Sequence, residues 1–507
     1  MVAGMQLYAC SDNDSFTTSR SEFLTFQCDT LTMDTVFSTV PSRTYNFWVY
    51  NRSADGLRLN QVRLERGNQT GFRVNVDGSY LDNQLGSQVQ GLEVRKGDSI
   101  RVFVELTSAF NRADEPQLVS DNLAFTLESG VIQKVNLKAY SWDALLLDSV
   151  IIRRDSTIAT AKPVVIRGGL KVEDGARLTL KSPTKLYFHS GAGMDVYGAL
   201  TVEGEPDRDV VLRGDRIDHM FDYLPYDRLS GQWKGVRFYP SSTDNHISFA
   251  DIHSSEDGIV CDSAFYDENY VRLNMANTTI HNCKGHGVHA VNSYLKMVNC
   301  QLSNTLGDCV NVAGGKVEMS YCTLAQFYPF DGNRGVALRY SNSWQGYPVP
   351  LHDFHCENTL ITGYSDDELM GERDEDSTVL FQYHFTDCII RTPAITDSTL
   401  LAGKLDNILF ESPKDSLQGK QHFVDIDADQ QYYDFHLDSL STARGKASPS
   451  GLTVVDIDRE GILRGEHPDI GCYQYRAKDS GEQQDGNTST TSAPRRKTKA
   501  LRSRSRR

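Results

Sequence analysis

Apolar and polar residues alternate with a period of two along most of the chain, in short runs that Gly, Asn and Asp interrupt. Because β-branched and aromatic residues dominate these runs and no 3.6-residue apolar stripe occurs, the pattern predicts β-strands rather than helices. Residues 298–302 (VNCQL) return 22 positions later as residues 320–324 (SYCTL), and Ile280, Leu302 and Leu324 keep the same spacing. A fixed interval of this length predicts a solenoid.

The repeated unit lacks the leucines and the asparagine ladder of a leucine-rich repeat. We therefore predict a right-handed parallel β-helix over residues 141–476, with three short strands per turn. Glycines such as Gly169 and Gly175 occur at the predicted bends, where they supply positive φ angles. Unpaired strands at either end would template aggregation, so we expect both ends to be covered, the first by the preceding domain.

Seven short alternating segments between residues 22 and 140 predict an antiparallel β-sandwich. The predicted fold class is therefore all-β, with the sandwich preceding the parallel β-helix. Residues 47–64 and 72–78 resemble the immunoglobulin-like modules of secreted and surface proteins. That resemblance implies a spacer or a docking module, and no catalytic set is recognisable in this domain.

Charge and cysteine content narrow the functional classes. The 507 residues carry a net charge of −15, and an acidic body does not favour nucleic-acid binding, because phosphate contacts need a cationic face. No CxxC pair occurs among the ten cysteines, which argues against a zinc ribbon or a redox dithiol. Six cysteines precede or lie in strands in similar contexts, so they form either disulfides or, as we favour, a stack of inward-facing thiols.

The two ends of the chain suggest how the protein is located. Residues 7–10 (LYAC) resemble the end of a lipoprotein signal with Cys10 as the lipidated residue, and a polar, acidic tether follows up to residue 21. This is similar to the export signal of Bacteroidota-type surface lipoproteins, and it implies a lipid anchor on the extracellular face of the outer membrane. Residues 477–507 end in a basic run and are predicted to be a disordered tail, either solvated or contacting an anion.

Residues 456–461 (DIDREG) and 468–475 (PDIGCYQY) resemble the closing signature of bacterial right-handed parallel β-helix repeat proteins. Cys472 and Gln474 depart from the usual Ala and Glu of that signature. Residues 231–236 (GQWKGV) resemble an early turn of the same proteins, so the likeness extends over residues 150–475. The chain thus resembles a surface lipoprotein of this class with an amino-terminal immunoglobulin-like domain. The fold is shared by lyases, hydrolases, epimerases and inert binders, so the likeness does not imply an activity.

Gly285-His286-Gly287 resembles the Gly-His-Gly of polygalacturonases, but the remaining motifs of those enzymes are absent. The Asp-Asp pair lies far downstream, at residues 366–367, and no Arg-Ile-Lys occurs. Adjacent turns could still bring His286 together with Asp308 and Asp257. These three residues are the candidate catalytic set of an alternative function, a polysaccharide lyase or glycoside hydrolase.

Two loops combine aromatic and acidic residues, a composition that suits sugar stacking or protein docking, or packing of the loop on itself. The candidate surface residues are Tyr223, Tyr226, Asp227, Trp233, Trp344 and Tyr347. We predict a non-catalytic binding protein, or an accessory subunit beside an outer-membrane barrel protein, that contacts that barrel or a surface polysaccharide. No cofactor and no metal site are predicted, although the scattered acids of the first loop leave calcium open.

Overall fold

The computed structural model describes residues 15–401, 403–449 and 455–477. The described residues up to Tyr475 belong to one compact unit, which is nearly all β. In the described ranges, regular helix is confined to the α-helical turn Ser398–Leu401 and three 3-10 turns, Asn83–Leu85, Tyr226–Arg228 and Lys420–His422. The predicted all-β class is confirmed. None of the helical turns in these ranges has the length and apolarity needed to cross a bilayer.

Eleven strands between Thr25 and Trp142 form two facing sheets. Their bounds are β1 Thr25–Phe26, β2 Thr30–Thr32, β3 Val36–Phe37, β4 Tyr45–Tyr50, β5 Leu57–Leu64, β6 Phe72–Val76, β7 Ser79–Tyr80, β8 Gln88–Val94, β9 Ser99–Leu106, β10 Gln117–Leu127 and β11 Ile132–Trp142. One sheet has the order β1-β4-β9-β6-β7, and the other has the order β2-β11-β10-β5-β8 with β3 also paired to β11.

The two sheets share one apolar core, to which Val49 and Val102 of the first sheet and Val62 and Phe125 of the second contribute. Every pairing in the first sheet is antiparallel, as predicted. The second sheet differs from the prediction at one edge, where β2 and β3 both run parallel to β11. The parallel pairing arises because β2 and β3 belong to one chain segment that runs in the same direction as β11. The segment is interrupted only between the two strands.

The parallel region begins at Leu145. Its strands are β12 Leu145–Leu147, β13 Val150–Ile152, β14 Ser156–Ala159, β15 Val164–Ile166, β16 Leu170–Val172, β17 Arg177–Lys181, β18 Lys185–Phe188, β19 Met194–Val196, β20 Ala199–Glu203, β21 Val210–Gly214, β22 His219–Phe221, β23 Leu224–Pro225, β24 Val236–Phe238, β25 Asn245–Ser248, β26 Ala250–His253, β27 Ile259–Cys261, β28 Leu273–Ala276, β29 Thr279–Cys283, β30 Val288–Val298, β31 Gln301–Thr305, β32 Val310–Ser320, β33 Thr323–Gln326, β34 Leu338–Ser341, β35 Ser343–Trp344, β36 Tyr347–Pro348, β37 Leu351–Glu357, β38 Leu360–Gly363, β39 Leu369–Glu372, β40 His384–Thr386, β41 Ile389–Arg391, β42 Leu405–Asp406 and β43 Leu409–Glu411.

These strands build two large parallel sheets, and β22–β23 and β35–β36 are separate antiparallel hairpins. The 11-stranded sheet has the order β12-β15-β18-β21-β26-β29-β31-β33-β38-β41-β43. The 17-stranded sheet contains the strands between them, so that β13 pairs with β16 and β14 with β17. Along the chain, each strand of the 11-stranded sheet up to β38 is therefore followed by two strands of the 17-stranded sheet. In two turns these two strands are continuous and form the long strands β30 and β32.

The interior between the two sheets contains the cysteines that the repeat predicted to face inward. Cys261, Cys283, Cys300, Cys309, Cys322, Cys356 and Cys388 all belong to this core and are free thiols. The prediction of stacked thiols rather than disulfides is confirmed for the six cysteines of similar context, and Cys261 joins them although it was not among the six. Cys472 is also buried and free, but it packs in a second cluster formed by the end of the chain.

A bend with one left-handed residue precedes most strands of the 11-stranded sheet. Asn277, Asn299, Asn358 and Asp387 have φ angles of +48°, +52°, +50° and +52°, and each lies two positions before a strand of that sheet. Asn and Asp tolerate this conformation better than other non-glycine residues. The recurring Asn and Asp of the sequence repeat therefore mark these bends.

The outer face of the 11-stranded sheet is covered by two segments that are distant in sequence. Near the first turns, Phe37 packs against Val165 and Tyr187. Farther along, the carboxyl-terminal segment (residues 412–449 and 455–475) packs on Ala325, Leu360 and other outward residues. It contains the antiparallel strands β44 Phe423–Asp427 and β45 Tyr432–Leu437.

Polar contacts hold the carboxyl-terminal segment along the side of the parallel region. Arg464 Nη2 donates to Asn299 Oδ1 at 2.7 Å, and Asn299 Nδ2 donates to the carbonyl oxygen of Ile457 at 2.8 Å. Arg459 Nη2 lies 2.7 Å from Asp209 Oδ2, several turns away. That both ends of the parallel region are covered stays a prediction. The closing signature itself follows the outer face of the 11-stranded sheet, where the bend residue Asn299 offers it hydrogen-bonding groups.

Candidate ligand-binding face

The outer face of the 17-stranded sheet differs from its covered counterpart, because its outward side chains keep solvent contact and, apart from Val260, those named below are charged or polar. Its first row contains Lys171, Asp195, Arg237, Val260, His289, Asn311 and Arg339, and its second row contains Thr179, Thr201, His246, Asn274, Lys296, Glu318, His355 and His384. All of these residues are exposed or half-buried. We call this surface the open face.

A groove of about 460 Å³ runs along the open face over its first five turns. Charged side chains of both signs and one tyrosine line it, among them Lys171, Asp195, Lys234, Arg237, Tyr239, Glu256 and Asp257. We call it the Lys171 groove. Gly169 and Gly193 also line it.

Ring stacking and ion pairs order the side chains in this groove. The rings of Tyr197 and Tyr239 stack with centroids 4.0 Å apart, and Lys171 Nζ lies 4.9 Å from the Tyr197 centroid. Arg237 binds both carboxylate oxygens of Asp262 at 2.9 Å, and these hydrogen bonds raise the pKa of Arg237. Burial raises the pKa of Tyr239 to about 12. At neutral pH the groove therefore presents a fixed cation beside a neutral phenol.

The structure brings together the three residues of the alternative catalytic set beside the Lys171 groove. Asp257 Oδ1 accepts the backbone N–H of His286 at 2.7 Å. The backbone N–H of Asp308 in turn donates to His286 Nδ1 at 2.9 Å. The contacts follow from the parallel register, which places Gly258, Gly287 and Cys309 in neighbouring turns.

These contacts also restrict what the three residues can do chemically. Asp308 is 3% exposed, and its Oδ1 accepts the backbone N–H of Val336 at 2.9 Å. Its Oδ2 accepts from Asn311 Nδ2 at 2.7 Å and from Arg339 Nε at 3.0 Å. Because Nδ1 of His286 is an acceptor, the neutral ring has its proton on Nε2 and offers no lone pair there for a general base. The arrangement therefore resembles a turn-stabilising network more than a proton-transfer site.

Aromatic side chains extend the open face beyond the His286 network. Trp344, in the β35–β36 hairpin, packs on His289 with centroids 4.7 Å apart, and His289 packs on His286 at 5.3 Å. Burial lowers the pKa of His289. Tyr347 at the other side of this hairpin is 73% exposed. Trp344 and Tyr347 thus lie where a ligand on the open face could reach them.

The other predicted surface residues lie elsewhere. Tyr223 is exposed and stacks on Phe221, while the Arg216 guanidinium lies 3.8 Å from the Tyr226 ring centroid. Asp227 pairs with Arg213, an outward residue of the 11-stranded sheet, at 3.5 Å.

Trp233, also predicted to be part of the ligand surface, is not at the surface. It is 1% exposed and stacks on Phe188 with centroids 4.4 Å apart. This corrects the prediction, because an indole ring beside a loop can fill the interior of a turn.

The acids that left calcium open are separated into different ion pairs. Asp215 lies 2.7 Å from His189 Nδ1, and Asp218 binds Arg216 through both oxygens at 2.7 and 2.6 Å. A different group in the described residues could hold a metal ion: Asp251, His253 and His281. This group was not predicted, although Asp251 and His253 lie two positions apart on one strand face.

Cys10, the predicted lipidation site, and residues 478–507 of the predicted tail lie outside the described residues. Their roles stay predictions. The Lys171 groove was not predicted either, although its charged residues occupy the polar positions of alternating strands.

No protein-family model and no curated protein matches the chain. The catalytic unit of a GH87 alpha-1,3-glucanase from Streptomyces thermodiastaticus is similar over 72% of this chain and 87% of that chain, at 10% identity and a TM-score of 0.21. A family 123 glycoside hydrolase from Clostridium perfringens matches 24% of this chain at 6% identity and a TM-score of 0.17. This match covers 26% of the hydrolase. A protein of unknown function from Porphyromonas gingivalis is also similar, and that match covers 58% of its length. Likenesses this weak carry no argument about function.

Proposed function

We propose that residues 141–476 form a right-handed parallel β-helix and that residues 22–140 form an immunoglobulin-like sandwich. Support for the first part comes from the regular alternation of strands between the two parallel sheets. Support for the second comes from the common core of the two amino-terminal sheets. On this proposal the chain is a Bacteroidota-type surface protein of the class that its closing signature resembles.

We infer that the protein is a non-catalytic binding protein or accessory subunit. The observation that carries this proposal is the use of the candidate catalytic groups in structural hydrogen bonds. Both oxygens of Asp308 and Nδ1 of His286 are engaged within the turns. A general base needs a lone pair that is free to accept the proton of the substrate, and neither Asp308 nor Nδ1 of His286 offers one.

The proposed ligand is a surface polysaccharide that lies in the Lys171 groove. An extended groove suits a chain-like ligand, and Lys171, Asp195 and Arg237 provide both donors and acceptors for sugar hydroxyl groups. Tyr239 supplies an aromatic ring at its edge, and Trp344 supplies another farther along the open face. Many weak contacts along the groove would give specific binding without any catalytic step.

A glycan array tests this proposal. The wild-type protein should retain a defined polysaccharide, and the Tyr239→Ala and Lys171→Ala variants should bind it at least about tenfold more weakly, since each loses a contact in the groove. Tyr80→Ala is the matched control, because Tyr80 is 70% exposed on the amino-terminal sheets. Equal binding by all four proteins would refute the groove as the site.

The alternative, a polysaccharide lyase or glycoside hydrolase, keeps one supporting observation, the meeting of Asp257, His286 and Asp308 beside the groove. The same glycans are incubated with the protein and their chain lengths are measured. We expect no shortening. Turnover by the wild type that His286→Gln abolishes would instead establish the enzyme.

We propose further that the chain is anchored at the extracellular face of the outer membrane through Cys10 and associates there with a barrel protein. This part rests on the lipoprotein-like residues 7–10 and the acidic tether. Labelling with a fatty-acid analogue should modify the wild type and not Cys10→Ala. A barrel protein that copurifies in detergent would identify the accessory role, and purification without one would favour a free-standing glycan binder.

A further inference from the structure

Two histidines and an aspartate converge on the outer face of the 11-stranded sheet. Asp251 Oδ1 lies 3.0 Å from His253 Nδ1 and 3.2 Å from His281 Nε2. Asp251 and His253 belong to β26, and His281 is the register partner of His253 in β29. The two imidazoles stack with centroids 4.7 Å apart, and the three candidate ligand atoms all lie within 4.8 Å of one another.

The donor set matches the chemistry of a transition-metal site. Two imidazole nitrogens and one carboxylate oxygen are typical zinc ligands, and ligands about 2.0–2.1 Å from a tetrahedral zinc lie about 3.3 Å from each other. The two distances from Asp251 Oδ1 are close to that separation, and the two imidazole nitrogens lie within 4.8 Å of each other. We propose that Asp251, His253 and His281 bind a divalent transition-metal ion, with zinc as the ion that the donors favour.

The surroundings hold the ligands in place and leave a route for the ion. Trp233 Nε1 donates to the carbonyl oxygen of His253 at 2.8 Å, which fixes that strand end. Asn282, next to His281, donates to the carbonyl oxygen of Arg228 at 2.7 Å. This hydrogen bond ties the loop that contains Arg228 to the site. Half-buried Asp251 also lines a pocket of about 220 Å³, through which an ion or a fourth, water ligand can enter.

Neighbouring charges are largely paired and leave the cluster attractive to a cation. Arg213 is the cation near His253, and it pairs with Asp227. Arg459, which lines the pocket, pairs with Asp209 at 2.7 Å, and Glu460, which also lines it, pairs with His436 at 3.0 Å. With neutral imidazoles the three ligands carry a net charge of −1. A bound ion would therefore link two successive turns beneath the carboxyl-terminal segment, a role distinct from ligand binding on the open face.

Metal content and zinc titration of the untagged full chain test the proposal. We expect one zinc per chain by mass spectrometry after growth with zinc, and micromolar or tighter binding by calorimetry. Cobalt should give the visible absorption of a four-coordinate site. Both His281→Gln and Asp251→Asn should weaken zinc binding at least about tenfold, since removing a ligand costs more than the 10–100-fold typical of an outer partner.

His246→Gln is the matched control, because His246 also pairs with an aspartate, Asp244, at 2.9 Å but belongs to no group of three candidate ligands among the described residues. Circular dichroism confirms that each variant is folded. A wild type that binds less than one zinc at micromolar free ion would show that the cluster is held by hydrogen bonds alone and would overturn the proposal. Unchanged affinity in the folded His281→Gln variant would do so equally.

Discussion

The outer faces of the two parallel sheets differ in their exposure to solvent: one is covered and the other is open. On the 11-stranded sheet, Val165, Leu360 and Ile389 point outward and are nonetheless buried, because the amino-terminal sheets and the carboxyl-terminal segment cover them. On the 17-stranded sheet, Lys171 and Arg237 occupy the equivalent outward positions and stay in solvent. One face thus contributes stability through long-range contacts, whereas the other remains available to a ligand.

The difference predicts that substitutions on the covered face disturb folding, whereas substitutions on the open face disturb ligand binding alone. In the two parallel sheets each strand pairs mainly with its neighbours, so a local change is usually felt locally. The covering segments alter that rule on one side, since they join turns that are far apart in sequence. We therefore expect stability to depend strongly on the covered face and weakly on the open face.

The largest effect is expected for Phe327→Ala on the covered face. Phe327 is fully buried, and its ring centroid lies 4.9 Å from that of Tyr364 and 5.9 Å from that of Phe423. Removing the ring leaves a cavity beneath the carboxyl-terminal segment, which should lower the free energy of unfolding by about 3–5 kcal/mol. Denaturant unfolding measures the change. Tyr239→Ala on the open face should cost less than about 1 kcal/mol, and equal losses would abolish the proposed difference between the faces.

A smaller loss is expected for Asn299→Ala, which removes the bend residue that binds Arg464. The substitution leaves the buried Arg464 and the carbonyl oxygen of Ile457 without this partner, and it places alanine at a φ of +52°. Together these should cost about 2–4 kcal/mol. Asn299→Gly accepts the positive φ and should recover about 1 kcal/mol of that loss.

Asn274→Ala on the open face is the matched control for Asn299 and should change stability by no more than about 0.5 kcal/mol. Thermal unfolding of the three variants separates the contributions. A control as unstable as Asn299→Ala would mean that the bend contacts are not what distinguishes the covered face.

An intermediate effect depends on pH and involves His436 in the carboxyl-terminal segment. Burial lowers the pKa of His436, but hydrogen bonds with Asp434 at 2.6 Å and Glu460 at 3.0 Å raise it by more, to about 9. The folded-state pKa exceeds the unfolded value of about 6.5, so the contribution is complete below pH 6.5 and is lost as the pH rises through about 9. Because the side chain is 42% exposed and water screens the pairs, we expect about 1 kcal/mol or less.

Melting temperatures measured between pH 6 and 10 test this expectation. The wild type should lose more stability than His436→Gln over that range, whereas His246→Gln on the open face should follow the wild type. Parallel curves for the wild type and His436→Gln would exclude the ion pairs as a source of the dependence.

The distinction between the faces is already present in the sequence. The run Val164-Val165-Ile166 is apolar throughout, as expected of a strand covered on both sides, whereas Leu170-Lys171-Val172 alternates and has a solvent face. The repeat interval and the inward cysteines were predictable for the same reason, because a stacked turn gives equivalent positions equivalent surroundings.

The contacts that assemble the sites were not predictable, because they join residues whose separation depends on register and chain path. Arg464 meets Asn299 across 165 positions, and the pairing of His253 with His281 follows from strand register. Trp233 was assigned to the surface because an aromatic residue in a polar loop gives no sign that its ring enters the interior. His286, Asp257 and Asp308 do meet in adjacent turns, but their hydrogen bonds to the main chain could not be read from the sequence.

The smallest effect on stability is expected for Arg237→Gln on the open face. Although Arg237 binds Asp262 through two hydrogen bonds, its side chain is half exposed, so the pair should contribute about 0.5 kcal/mol or less. Arg464→Gln is the comparison on the covered face, where a buried guanidinium contacts Asn299 and several carbonyl oxygens, and it should cost about 3 kcal/mol. Denaturant unfolding measures both changes, and glycan binding by Arg237→Gln is measured alongside. A folded Arg237→Gln that no longer binds glycan would separate ligand binding from stability, whereas losses of equal size in the two variants would show that both faces support the fold alike.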